Sequence, residues 1–284
     1  MSKSIMEITW EELDAIDKEK AVIFIIFAPI EQHGKHLPLG VDVFESKYWE
    51  QKVIKLLEDE FNDYEFLVMP PVTFGYGNMS DFPGNLYLKQ TTIKTVAYEI
   101  IENIVNWGIK NIVIISGHAE PKHLIAIEEA CEEINTKYGV VAFSPMGAIF
   151  SNKELGLNIK HHHEIEKLFK QYSNDFHAGW IETSNMLDIE ESLVKTNYIE
   201  QPDIDVNPQD MIFPEKVLKK IRGFGHIGYP KIASSKIGKL LNDGMVKILF
   251  KAIRAFIRRN NYQKYEHHFL YDNPILKTSN KGVK

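Results

Sequence analysis

A three-layer α/β/α fold around a mostly parallel, mixed central sheet is the architecture this sequence predicts, and three observations carry the prediction. Short apolar runs rich in β-branched and aromatic residues recur along the first half: AVIFIIFA at 21–28, EFLVM at 65–69, NIVIISG at 111–117 and VVAFSPM at 140–146. Runs without polar alternation read as strands covered on both faces. Segments of helical period separate them, which is the pattern of a parallel sheet flanked by helices. No repeat, low-complexity block or linker divides the 284 residues, a length ordinary for one large α/β domain. One domain over 1–260 and an irregular tail over 261–284 are therefore expected.

The elements follow in order. Thr9 with Glu12 three residues later has capping-box spacing and predicts a short helix. The first apolar run ends at Pro29. Residues 45–61 place Tyr48, Trp49, Val53, Leu56 and Leu57 on one side of an amphipathic helix. EFLVM then runs into the Pro/Gly loop PPVTFGYG. Over 91–108 the stripe Ile93, Val96, Ala97, Ile100, Ile101, Ile104 and Val105 predicts a helix closed by Gly108. After NIVIISG, a helix starts at Pro121 and stops at Gly139. The pattern weakens over 150–235, where IETSNMLDI at 181–189 reads as helical, and 234–259 is the last clear helix.

Composition narrows the function. With 44% hydrophobic and 25% charged residues the chain matches soluble globular proteins, and no apolar run nears the roughly 18–20 residues that cross a bilayer. The N-terminal stretch MSKSIMEITWEEL lacks a basic segment followed by an apolar block, so the cytoplasm is the expected compartment. A net charge of −6 argues against nucleic acid, and the basic cluster KAIRAFIRR at 251–259 reads as a solvated helix face. Cys131, the single cysteine, is expected as a buried helix thiol.

In open parallel sheets ligands gather beyond the carboxyl ends of the strands. Two such loops hold the unusual residues: Glu31, His33, His36 and Asp42 after the first strand, His118 and Glu120 after NIVIISG. Singly, such residues are ordinarily solvated or packed. Together, imidazoles and carboxylates without a thiolate suit Zn2+, Mn2+ or Fe2+, in number enough for two ions.

The stretch EQHGKHLPLGVD, from Glu31 to Asp42, resembles the signature of the creatininase (creatinine amidohydrolase) family. FPGN at 82–85, SGHAE at 116–120, HAGWIETS at 177–184 and GHIGYPKIASSKIGK at 225–239 resemble further family segments in family order, over about residues 8–255. The resemblance implies an α/β/α hydrolase with two divalent ions per chain and assembly as a homo-oligomer, often a hexamer. By position, Glu31 and His118 would hold one ion, His33 and Glu120 the other, and Asp42 would bridge. His177 matches the proposed proton shuttle, Glu182 a nearby carboxylate that either supports the ligands from behind or positions substrate, and His36 a group that orients a ligand by hydrogen bonding. The chain departs from the pattern at Ala119 and Pro121, at Asn85 in place of threonine, in lacking a histidine before FPG, and at Trp180 in place of glutamate. Trp180, Asn85, Ser80 and His36 are the candidate substrate contacts.

The implied reaction is hydrolysis of a C–N bond in a cyclic amide or formamide of a small polar metabolite, by a water activated between two ions. Two alternatives stand beside it. One is hydrolytic C–C ring opening of an oxidised inositol, for which Asn78, Ser80, Asp81 and Asn85 suit a hydroxyl-rich ring. The other is a non-catalytic metal-binding or scaffold protein. His161, His162 and His163, like His267 and His268, are expected at the surface, because adjacent side chains point in different directions. His123 is expected on an exposed helix face, and His226 near the site or a neighbouring subunit.

Overall fold

The computed structural model describes residues 2–139, 141–151, 163–207, 210 and 214–278. Five parallel strands are present among them: β1 (Lys3–Ser4), β2 (Ala21–Ile26), β3 (Glu65–Val68), β4 (Ile112–Ile115) and β5 (Ala142–Phe143). Their order is β1-β3-β2-β4-β5, with Ile23 opposite Leu67 and Ile25 opposite Ile114. Every pairing between these strands is parallel, so the antiparallel component expected of a mixed sheet is absent among them. β2 lies at the centre and is buried along its whole length, which is why its sequence has no polar alternation.

Successive strand side chains point to opposite faces, and this alternation divides the core. Val22, Phe24 and Val113 join one cluster beneath α2 (Val41–Glu60) and α9 (Ser235–Ile257). Ile23, Ile25, Ile112 and Ile114 join another beneath α3 (Gln90–Asn106) and α4 (Pro121–Tyr138). The remaining helices are α1 (Trp10–Ala15), α5 (Met146–Ser151), α6 (His163–Gln171), α7 (Trp180–Ile189) and α8 (Pro214–Ile221). The Thr9–Glu12 capping box forms at α1, and Gly108 and Gly139 close α3 and α4 at φ of 92° and 84°.

Three expectations shift. α2 begins at Val41 rather than 45, which puts Asp42 in its first turn, where the helix dipole favours an anion. The β5 run is strand for two residues only, and Met146 already opens α5. Among the described residues the tail after Asn260 contains turns and two short 3-10 segments, Gln263–Tyr265 and Pro274–Leu276, but Tyr262 and Tyr265 join the core and the His268 N–H donates to both Glu128 carboxylate oxygens, at 3.0 and 3.1 Å. Cys131 is buried and unpaired. Among the described residues no helix is long and apolar enough to cross a membrane.

From β2 the chain returns through α2 to β3 on one side; from β3 it crosses through α3 to β4 on the other. The strand order therefore reverses between the carboxyl ends of β2 and β4. That is where a crevice opens in sheets of this kind, and both candidate loops begin there.

Candidate metal centre

Backbone contacts bring the two loops together. Gly117 follows β4 so closely under α2 that a Cβ there would lie 2.5 Å from the Asp42 carbonyl oxygen. Ser46 ties them: its hydroxyl donates to the Asp42 carbonyl at 2.6 Å and accepts from Gly117 N–H at 2.7 Å. On the other flank, Asn85 Oδ1 accepts from Gln32 N–H and its amide donates to the Met79 carbonyl, both at 2.6 Å. Gly34 turns the loop at φ 68°, and the Gln32 amide donates to the Gly225 carbonyl at 2.6 Å.

Inside this frame the histidines have assigned tautomers. His33 Nδ1 is 3.0 Å from the Glu31 carbonyl, and His118 Nε2 is 2.9 Å from the Tyr76 carbonyl. A carbonyl only accepts, so each of those nitrogens carries the hydrogen and the other nitrogen of each ring is the one free to bind a cation. Those second nitrogens face the same carboxylate. His33 Nε2 is 3.4 Å from Asp42 Oδ1, and His118 Nδ1 is 3.4 Å from Asp42 Oδ2. Glu31 Oε2 lies 3.3 Å from His118 Nδ1, while Glu182 Oε2 lies 3.6 Å from His33 Nε2. His177 follows the same rule: Nε2 is 2.6 Å from the Gln32 carbonyl, and Nδ1 faces Glu31 Oε1 at 3.3 Å. The Gln32 amide nitrogen is 3.1 Å from the same Nε2, and the shorter carbonyl contact decides the tautomer.

Three groups of potential ligand atoms result: Glu31, Asp42 and His118; His33, Asp42 and Glu182; and Glu31, His33 and His177. Both oxygens of Glu31, Oδ2 of Asp42 and Nε2 of His33 are buried without a hydrogen-bond partner. Buried polar atoms are otherwise almost always paired, so the donor set fits a divalent cation in both chemistry and arrangement.

The metal-free electrostatics agree. Burial opposes a charge on His33, yet Asp42 and Glu182 outweigh it and raise the imidazole to about 10. Burial likewise opposes a charge on His118, which Glu31 and Asp42 raise to about 10. Asp42 is held far below the carboxylate range against its burial, by His33 and His118. Burial raises Glu31. His177 is lowered to about 4, by burial and by His33 beside it. In the metal-free protein, protons on His33 and His118 supply the positive charge these carboxylates require.

Other candidate residues have different surroundings. Glu120 is the N-cap of α4, its Oε2 accepting from His123 N–H at 2.8 Å, and it belongs to none of the three groups. Burial raises its carboxyl to about 7. His36 is buried, with Nε2 bonded to Thr183 Oγ1 at 2.9 Å, one residue past Glu182. His226 is buried beside it, rings 6.0 Å apart, and donates to the Pro202 carbonyl. Trp180 is fully buried in a cluster with Ile165 and Leu241, its indole N–H reaching the Tyr172 carbonyl, so it is a packed aromatic. Asn85 has both ends of its amide on the loop backbone and Ser80 is exposed.

His123 corrects an expectation. It is fully buried, its Nε2–H donating to the Phe27 carbonyl at 3.2 Å and its Nδ1 accepting from Tyr76 N–H at 3.3 Å. The loop that carries Tyr76 covers the first turn of α4, which helical periodicity alone does not reveal. Of the histidine triplet, His163 is exposed at the start of α6; His161 and His162 lie outside the described residues. His268 is buried, against expectation, and His267 stacks on Tyr271 at 3.9 Å.

Two residues escaped the sequence reading. Asp175 is a half-buried carboxylate that accepts from Trp180, Ile181 and Tyr229 N–H at 2.9–3.0 Å, and so fixes the turn carrying His177 and Glu182. Gly179 and Gly228 flank it, where a Cβ would sit 1.8 and 2.0 Å from its Oδ1. Tyr87 points its hydroxyl at Glu31. The paired glycines were the available signal for Asp175, and Gly77 the one for Tyr87.

A parallel α/β sheet with buried carboxylates and tautomer-locked imidazoles at its switch point defines a divalent-metal protein. The family model described as creatininase, creatinine amidohydrolase, matches residues 6–253. The chain belongs to the creatininase family and is a metal-dependent hydrolase. The creatinine amidohydrolase of Pseudomonas putida is 27% identical over 269 residues, covering 89% of this chain and 98% of that protein. Among solved structures, a mutant creatininase complexed with creatine aligns with TM-score 0.68 at 22% identity, over 90% of this chain and 99% of that one. A creatininase with Mn aligns at 0.66 and 23% identity, over 89% and 98%. A mutant creatininase of Zn–Zn type gives 0.67 and 22%, over 89% and 98%. At these identities the structures establish the shared fold.

Proposed function

We propose that the protein hydrolyses a C–N amide bond, in a cyclic amide or formamide of a small polar metabolite, with two divalent cations per chain, Zn2+, Mn2+ or Fe2+. Glu31, Asp42 and His118 would hold one ion and His33, Asp42 and Glu182 the other, with Asp42 common to both groups. Glu120, which the family resemblance assigns to the second ion, caps α4 two residues past His118, and Glu182 is the carboxylate facing His33. The single observation that carries this reading is the pair of ring nitrogens, on His33 and His118, that are not committed to a backbone carbonyl and face opposite oxygens of one buried aspartate.

Ions bound there supply an acidified water, its pKa falling from about 15.7 towards about 7, and a Lewis acid for the carbonyl under attack. His177 keeps its Nε2–H on the Gln32 carbonyl, so Nδ1 is the atom that takes a proton and returns it to the leaving nitrogen. Asp175 holds the turn that carries His177 and Glu182. The amide reading is preferred to C–C ring opening because Asn85, one of the four side chains that would suit a hydroxyl-rich ring, is bonded to the backbone at both ends.

Metal analysis should give about two ions per chain, and Asp42→Ala should lose both ions and all turnover while keeping the circular dichroism of the folded chain. One ion or none in the parent protein overturns the two-ion reading. A panel of lactams, creatinine first, with N-formyl compounds and oxidised inositols, read by proton release, separates the two bond types. A cytoplasmic homo-oligomer, hexameric in the family's manner, is the assembly we expect; light scattering gives its size.

A further inference from the structure

Tyr87 belongs to none of the motifs that carry the family resemblance, yet the backbone delivers it to the centre. The Leu86 N–H donates to the Ile30 carbonyl at 2.9 Å, which sets residue 87 beside Glu31. Gly75 pairs with Tyr87 in an isolated bridge, and Leu88 N–H donates to the Gly75 carbonyl at 2.8 Å. Gly77 leaves space for the ring: a Cβ there would lie 2.4 Å from it. The hydroxyl is buried and faces the Glu31 carboxylate, but no protein atom accepts its hydrogen at bonding distance and geometry. Both Glu31 oxygens are equally without a donor.

The other carboxylates of the centre are fixed independently. Asp42 stands in the first turn of α2, and Glu182 accepts the Ala178 N–H. Glu31 stands on a loop, and once a cation has displaced the second proton of His118, neither His118 Nδ1 nor His177 Nδ1 has a hydrogen to donate, because the hydrogen of each ring sits on the nitrogen facing its carbonyl partner. Tyr87 brings the donor that the carboxylate lacks. Carboxylates that ligate metal are commonly held by such hydrogen bonds.

We infer that Tyr87 is a positioning residue for the ion at Glu31, Asp42 and His118: with the ion bound, its hydroxyl closes onto the Glu31 carboxylate as a hydrogen-bond donor and keeps it turned towards the cation. This rests on the metal reading proposed above. A Tyr87→Phe variant keeps the ring over Gly77 and removes only the donor. Parent and variant, stripped by chelator, are titrated with Co2+ alone, followed by visible absorption and chelator competition, and their metal-free melting temperatures are compared. One of the two Co2+ sites should weaken by about 10- to 100-fold with an altered spectrum, while the metal-free variant melts no lower than the parent. Co2+ affinities within about twofold of the parent overturn the inference and leave the metal reading standing. A weakened site accompanied by a lower metal-free melting temperature also overturns it, since lost packing alone would do the same. A parent protein that binds no Co2+ overturns the metal reading, and the inference with it.

Discussion

Returning metal to the chelated protein should release close to two protons per chain at neutral pH. His33 and His118 are buried, which disfavours charge, but the surrounding carboxylates raise both to about 10. At pH 7 each imidazole then holds its second proton by a ratio of about 1000 to 1. Ligation requires His33 Nε2 and His118 Nδ1 to be bare, because the other nitrogen of each ring donates to a backbone carbonyl. Both protons must leave as the cations enter. Calorimetric titration with Zn2+ in two buffers of different ionisation enthalpy counts them. A release of about half a proton or less at pH 7 would mean that the imidazoles are already neutral, and would refute the charge balance described here. The same shifts set the pH dependence of the metal-free fold. Imidazoles raised in the folded state stabilise it fully below their ordinary value near 6.5, and that stability is lost as pH rises towards about 10. The chelated protein should therefore melt at a lower temperature as pH is raised from about 7 to about 9.5, while metal affinity climbs over the same interval.

Other outcomes follow from individual contacts. His123→Leu strands the Phe27 carbonyl and the Tyr76 N–H in a buried site, at about 1–3 kcal/mol each, so urea unfolding should show a loss of about 2–6 kcal/mol. A loss below about 1 kcal/mol would show that neither bond matters. Gly238→Ala places a Cβ 1.8 Å from the Ser184 carbonyl oxygen of α7, so the α7 and α9 backbones must separate. A destabilisation of about 1–3 kcal/mol is expected, together with weaker metal binding on the Glu182 side; thermal melting and metal stoichiometry check both.

The sheet was legible because a strand buried on both faces has to be apolar at every position, and AVIFII is apolar at every position of β2. α3 was legible because its stripe of Ile93, Ala97, Ile101 and Ile104 is the set that is buried. Glu31, His33, Asp42 and His118 stood out as ionisable residues directly after such strands, and they meet within 3.3–3.4 Å. Other features had no local signature. His123 lies on a helix whose sequence suggests one exposed face, but the Tyr76 loop closes over it. Trp180 was expected against the substrate, and only its neighbours Ile165 and Leu241 show that it packs in the core.

The sequence by itself determined the strand and helix alternation and the kinds of donor atom gathered beyond the strands, because backbone preference and burial pattern are written in neighbouring residues. Tertiary structure alone decided which nitrogen of each imidazole faces the carboxylates, the strand order, that Glu182 rather than Glu120 faces His33, and that Tyr87 lies beside Glu31. Those outcomes depend on carbonyls, carboxylates and glycine-made space supplied by distant segments, and a hydrogen bond acts over about 3 Å whatever the separation along the chain.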